Sequence, residues 1–155
     1  MIGNDLVDLQ QASRESNWMR AGFLHKLFTK NEQQYIMLAN HPTEMVWLLW
    51  SMKEAVYKIY NRQSGVREFA PHKLSCTLRS LKFEEYYGQV QIAGSGYYTK
   101  TQVEHNDFIH TVAALTPYRL EGINTVLYPS STSIDYKAMA PHCVSHHGRF
   151  LALIF

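Results

Sequence analysis

The chain has 155 residues, a formal net charge of +2, 46% hydrophobic and 13% aromatic content. This allows one domain with its own core and excludes a disordered, collagen-like or coiled-coil chain. The charge is too small for a nucleic-acid footprint, and no run of about 18 apolar residues offers a membrane span. The opening Met1-Ile2-Gly3-Asn4-Asp5 has neither a basic head nor an apolar signal stretch. The expectation is a cytosolic protein in which Cys76 and Cys143 stay as free thiols.

Ile2 to Leu9 reads as a short apolar strand interrupted by Asp5 and Asp8. Gln10 to Ala21 is polar and mixed, and Phe23, Leu27 and Phe28 then bring an apolar face at helical spacing. Thr29 followed by Glu32 has the form of a capping box, opening a helix from Glu32 to Leu38. His41-Pro42-Thr43-Glu44 starts the next helix, with Thr43 as its cap; from Glu44 to about Asn61 there is neither Gly nor Pro, and Gln63-Ser64-Gly65 ends it. After a turn at 70–73 come four β-rich segments, Leu74–Leu78, Gln89–Ala93, Tyr97–Val103 and Phe108–Leu115, with connections short enough for an antiparallel meander. Residues 129–133 form a polar loop. The apolar ending, Gly148 to Phe155, would be a liability if exposed and is expected as a strand inside a sheet. The class is therefore α+β, an antiparallel β-sheet packed against a long central helix, in one domain over 1–155 with an extended β-meander region at about 76–140.

Three segments carry chemistry. In Gly3-Asn4-Asp5-Leu6-Val7-Asp8-Leu9, a carboxylate beside a glycine at a strand edge can hold a hard cation; taken alone, the segment reads rather as a strand end with turn-forming Asn and Asp. In Trp50-Ser51-Met52-Lys53-Glu54-Ala55-Val56-Tyr57-Lys58, a helix puts Trp50, Glu54 and Lys58 on one face and extends the stripe to Trp47. That face is either a solvated Glu–Lys pair or a partly desolvated site. In Val144-Ser145-His146-His147-Gly148-Arg149-Phe150, polar side chains sit at a strand mouth or in a loop before the last strand. A zinc reading from His142, Cys143, His146 and His147 lacks a second ligand cluster.

Together, in this order, the segments resemble the 4'-phosphopantetheinyl transferase superfamily, above all its short, holo-acyl-carrier-protein-synthase type. The resemblance rests on Gly3-x-Asp5, on Trp50 to Lys58 as the Trp-Ser-x-Lys-Glu-Ala-x-x-Lys helix motif, on Phe28-Thr29-x-x-Glu32, and on Ser145-His146 entering the last strand. It implies a phosphopantetheinyl transferase-like fold and transfer of the phosphopantetheine arm of coenzyme A to a serine hydroxyl of an apo acyl or peptidyl carrier protein. The other product is adenosine 3',5'-bisphosphate, and the chemistry would serve pathways such as fatty acid biosynthesis. By resemblance, Asp5 and Glu54 hold Mg²⁺, Lys58 binds phosphate and assists the leaving group, Lys53 is a second basic candidate, and Ser145 and His146 touch coenzyme A. The serine proton goes to Glu54 or to a metal-bound water. Asp5, Glu54 and Lys58 are thus the catalytic candidates.

Val7 stands where some relatives place a second acid, whereas an acid at the position of Asp8 is common in the short type. His147 receives no role. Arg14, Arg20, Lys26 and Lys30 either face an acidic carrier helix or are ordinary solvated charges. Because the short type builds its sites at subunit contacts, the resemblance implies a homo-oligomer, with a trimer as one arrangement. The segment 76–140 is longer than the short type has. A module of the same fold that binds coenzyme A or a carrier protein without turnover is the alternative.

Overall fold

The computed structural model describes residues 1–155. Strand β1 spans Ile2–Asp8 and leads through helix α1 (Leu9–Glu15) and short α2 (Phe23–Leu27) to α3 (Lys30–Leu38) and the long α4 (Pro42–Ser64). Strands β2 (Ser75–Lys82), β3 (Glu85–Ile92), β4 (Ser95–Glu104) and β5 (Phe108–Ala114) follow as consecutive hairpins. A four-residue helix α5 (Tyr118–Glu121) precedes β6 (Thr125–Pro129), β7 (Cys143–His147) and β8 (Phe150–Ile154). Two antiparallel sheets result, ordered β1-β5-β4-β3-β2 and β6-β8-β7. The meander ends at Ala114; α5, β6 and a long connection occupy the rest of the segment up to β7.

The core lies between α4 and the larger sheet. Leu48, Leu49, Met52, Ala55, Val56 and Ile59 recur at helical spacing and are all fully buried. They pack with Val7, Val90, Tyr97, Ile109 and Ala113 from the strands. Strand alternation sends Gly3, Asp5 and Val7 of β1 toward α4 and Asn4, Leu6 and Asp8 to the opposite side. Gly3 is glycine for a local reason: a Cβ there would run into the Ala55 carbonyl and Ile59. The helix therefore rides close to β1, which fixes its register against Asp5. Its side chains also cover the open edge of β1: Lys58 Nζ donates to the Asn4 carbonyl (2.7 Å) and Arg62 to that of Ile2 (2.7 Å).

Thr29 and Glu32 form the capping box reciprocally, the Thr29 N–H donating to Glu32 and the Glu32 N–H to the Thr29 hydroxyl. The α4 start differs from expectation. His41 is the N-cap residue and Pro42 occupies the first helical position, where its missing N–H costs nothing. Thr43 is already inside the helix, and its hydroxyl accepts the Trp18 indole N–H instead (3.2 Å). Gly65, at φ 73°, ends the helix. The apolar C-terminus is a sheet strand, β8, central between β6 and β7. No helix is long and apolar enough to cross a membrane.

Candidate functional site

Asp5 leaves β1 toward α4 and meets Lys58, whose ammonium lies 3.1 Å from Asp5 Oδ1. Ser51, one turn before Ala55, donates to the Asp5 carbonyl at 3.4 Å. Glu54 opens into the same cleft of about 360 Å³, between Asp5 and the walls made by Trp47 and Trp50, with His146 and His147 across from them. The tryptophans are held by neighbours: Trp47 packs edge-on against Phe23, and Trp50 against Phe69. Helical spacing suggests a Glu54–Lys58 pair, yet Lys58 goes to Asp5. Glu54 therefore stands beside apolar walls without a salt-bridge partner of its own.

The electrostatics follow from that arrangement. Burial, and then the Asp5 charge, push the Glu54 carboxyl up to about 7, with Lys58 opposing. Burial also raises the Asp5 carboxyl, against the charge and hydrogen bond of Lys58. Two carboxylates facing one cleft, each disfavoured as an anion, make a donor set of hard oxygens whose repulsion a divalent cation would relieve; Mg²⁺ fits it, since it takes one or two carboxylates and completes its shell with water and phosphate oxygens. No third Asp, Glu, His or Cys joins them in a metal-binding group. Lys58 itself lines a neighbouring groove with Asn4, Arg62 and His142, so the Asp5–Lys58 pair links cleft and groove.

The other sequence candidates divide. His146 is exposed and lines the cleft, whereas Ser145 is buried in β7 and does not. Lys53 is corrected from a coenzyme A ligand to a core residue. It is fully buried on the far side of α4, where its ammonium donates to Glu32 Oε2 (2.7 Å), the Leu27 carbonyl (2.9 Å) and the Pro71 carbonyl (2.9 Å). All three N–H bonds are used, leaving none for a phosphate. Glu32 accepts in turn from the Thr29 N–H (2.8 Å) and the Cys76 N–H (2.6 Å), so that motif glutamate is likewise structural.

Two residues acquire functions that spacing alone did not give. Asp8 caps α1 through the N–H groups of Gln10 and Gln11 and accepts from Arg149. His147 accepts the Asp8 N–H at Nδ1 (2.8 Å) and reaches Glu15 through Nε2 (3.1 Å). An Asp followed by a polar stretch without Gly or Pro was the available signal for the cap. Nothing local pointed to the long-range partners.

A family model for the 4'-phosphopantetheinyl transferase superfamily matches residues 1–113. That span holds the whole five-stranded sheet but for its last residue, together with α4, Asp5, Glu54 and Lys58. The protein belongs to this superfamily, whose members move phosphopantetheine from coenzyme A onto carrier proteins. No curated protein matches the sequence. Ser145, His146 and the entire smaller sheet lie beyond the matched span.

Proposed function

We propose that the protein is a holo-acyl-carrier-protein-synthase-type enzyme. It transfers the 4'-phosphopantetheine group of coenzyme A to a serine hydroxyl of an apo acyl or peptidyl carrier protein, with Mg²⁺, and releases adenosine 3',5'-bisphosphate. The observation that carries the reading is the convergence of Asp5 and Glu54, from the opening strand and the long helix, on one cleft with the Lys58 ammonium 3.1 Å from Asp5.

In the reaction the serine oxygen forms a bond to the phosphorus that bears pantetheine, and the pyrophosphate P–O bond breaks. The serine proton leaves to a base, and the electron pair of the broken bond departs on the nucleotide phosphate. Asp5 and Glu54 would hold Mg²⁺, which when bound supplies positive charge against the pyrophosphate oxygens. Lys58 places a second positive charge on the same phosphates and can protonate the departing one. Glu54, whose carboxyl burial raises to about 7 in the metal-free cleft, is the carboxylate that can take the serine proton. His146 faces the cleft from β7 and can donate to a phosphate oxygen. Trp47 and Trp50 limit water around the reacting groups.

The test mixes the protein with coenzyme A, Mg²⁺ and apo carrier proteins of the acyl and peptidyl kinds and weighs the carriers. The expected result is a gain equal to the phosphopantetheine arm, lost in Asp5→Asn and Glu54→Gln with unchanged circular dichroism. No gain on any carrier, while a known transferase modifies the same samples, overturns the reading; full activity in both variants overturns the residue assignment.

A further inference from the structure

The cleft is closed on one side by β7, a strand of the smaller sheet, and no backbone ladder joins that sheet to β1. β1 and β7 nevertheless lie side by side. Apolar side chains pack between the sheets, Leu6 and Phe108 clustering with Ala152, and Val112 and Ala114 with Ile154, while the polar contacts that fasten them are concentrated at the β7–β8 turn. Asp8 at the end of β1 is 1% exposed and accepts five hydrogen bonds. Two come from the start of α1; the other three come from Arg149, through its backbone N–H (2.8 Å), Nε (2.9 Å) and Nη2 (2.9 Å). Arg149 Nη2 also reaches Asp107 Oδ1 in the β4–β5 turn (2.8 Å), and its guanidinium covers the Phe150 ring. Gly148, at φ 52°, makes the approach possible, because a Cβ there would collide with the Asp8 carboxylate. His147 adds one bond, accepting the Asp8 N–H.

We propose that Arg149, acting through Asp8, is a positioning residue: it fixes the β7–β8 hairpin to β1 and so sets the distance between His146 on one wall of the cleft and Asp5 on the other. The inference rests on the function proposed above and concerns a segment outside the span that the family model matches. A bidentate guanidinium–carboxylate fork specifies orientation as well as distance, which the non-directional apolar packing between the two sheets does not. Arg149 does not line the cleft and would touch neither substrate nor product.

The test compares wild type, Arg149→Gln and Arg149→Lys by steady-state kinetics with coenzyme A varied, by calorimetric coenzyme A binding, and by amide hydrogen exchange over 143–147. Arg149→Gln should raise KM for coenzyme A about tenfold while kcat at saturation stays within about threefold. Its calorimetric Kd should rise in step, exchange in β7 should quicken, and lysine, keeping the charge but not the fork, should fall between. A merely structural role would instead lower the active fraction, reducing apparent kcat at unchanged KM, and that outcome overturns the proposal. So does wild-type KM in Arg149→Gln. If the glutamine variant does not fold, Arg149→Lys decides: a raised KM supports the proposal and a wild-type KM overturns it. Failure of the underlying function looks different, since the wild type itself would then neither bind nor use coenzyme A.

Discussion

Replacing Glu54 by Gln should make the metal-free protein more stable at alkaline pH while removing its activity. Glu54 is pushed from an ordinary value near 4.5 to about 7. The native state therefore keeps a proton that the unfolded chain has already released, so the Glu54 contribution to stability is complete below about 4.5 and is lost as pH rises through 7. At about 1.4 kcal/mol per pH unit the gap sets a ceiling near 3 kcal/mol. Because the carboxylate opens into a cleft and is only partly buried, solvent screening reduces this to about 1–2 kcal/mol. Gln keeps the shape and removes the charge. Urea unfolding in chelator at pH 4 and pH 8 measures the effect: the two proteins should coincide at pH 4, and the variant should lead by about 1–2 kcal/mol at pH 8 with an unchanged m-value. Adding Mg²⁺ at pH 8 should raise the wild type and leave the variant nearly still. A wild type as stable as Glu54→Gln at pH 8, or more so, would refute the claim that the cleft strains this carboxylate.

Lys53→Met should destabilise the fold by about 3–5 kcal/mol, because Glu32 is left as a buried charge without its counterion. The double change Glu32→Gln with Lys53→Met should recover a large part of that in a double-mutant cycle of urea midpoints, and additive losses would contradict the buried-pair account. His110 works in the opposite pH direction from Glu54. Burial first, and then the Lys58 charge, push its ring down to about 4, so its contribution is full above about 6.5 and is lost as pH falls through 4. Stability curves of wild type and His110→Gln should therefore diverge in slope between pH 6.5 and 4, and parallel curves would show that the ring is not held neutral by the core.

The local elements were legible because their signals are short-range. The Thr29–Glu32 box, the Gly- and Pro-free run of α4 and the alternating meander each reflect hydrogen bonding or periodicity within a few residues. Helix α1 and strands β6 and β7 carry no such signal, since Leu9–Glu15 is mostly polar, Thr125–Pro129 ends in proline and Cys143–His147 mixes polar with apolar residues. The motif order also pointed to Asp5, Glu54 and Lys58. Direction was another matter. Lys53 and Glu54 are consecutive, and a helix sends neighbours about 100° apart, so one entered the core and the other the cleft. Spacing could not say which, because that depends on where α4 rests on β1, and Gly3 settles it by letting the helix backbone approach. Asp8 and Arg149 stand 141 positions apart and meet only because the smaller sheet folds back onto the first strand. The sequence by itself determined the long helix, the capping box, the meander and the last strand, and which side chains carry charge. The tertiary structure alone decided which of those charges face each other, because an electrostatic partner is defined by distance through space and burial, neither of which is encoded by distance along the chain.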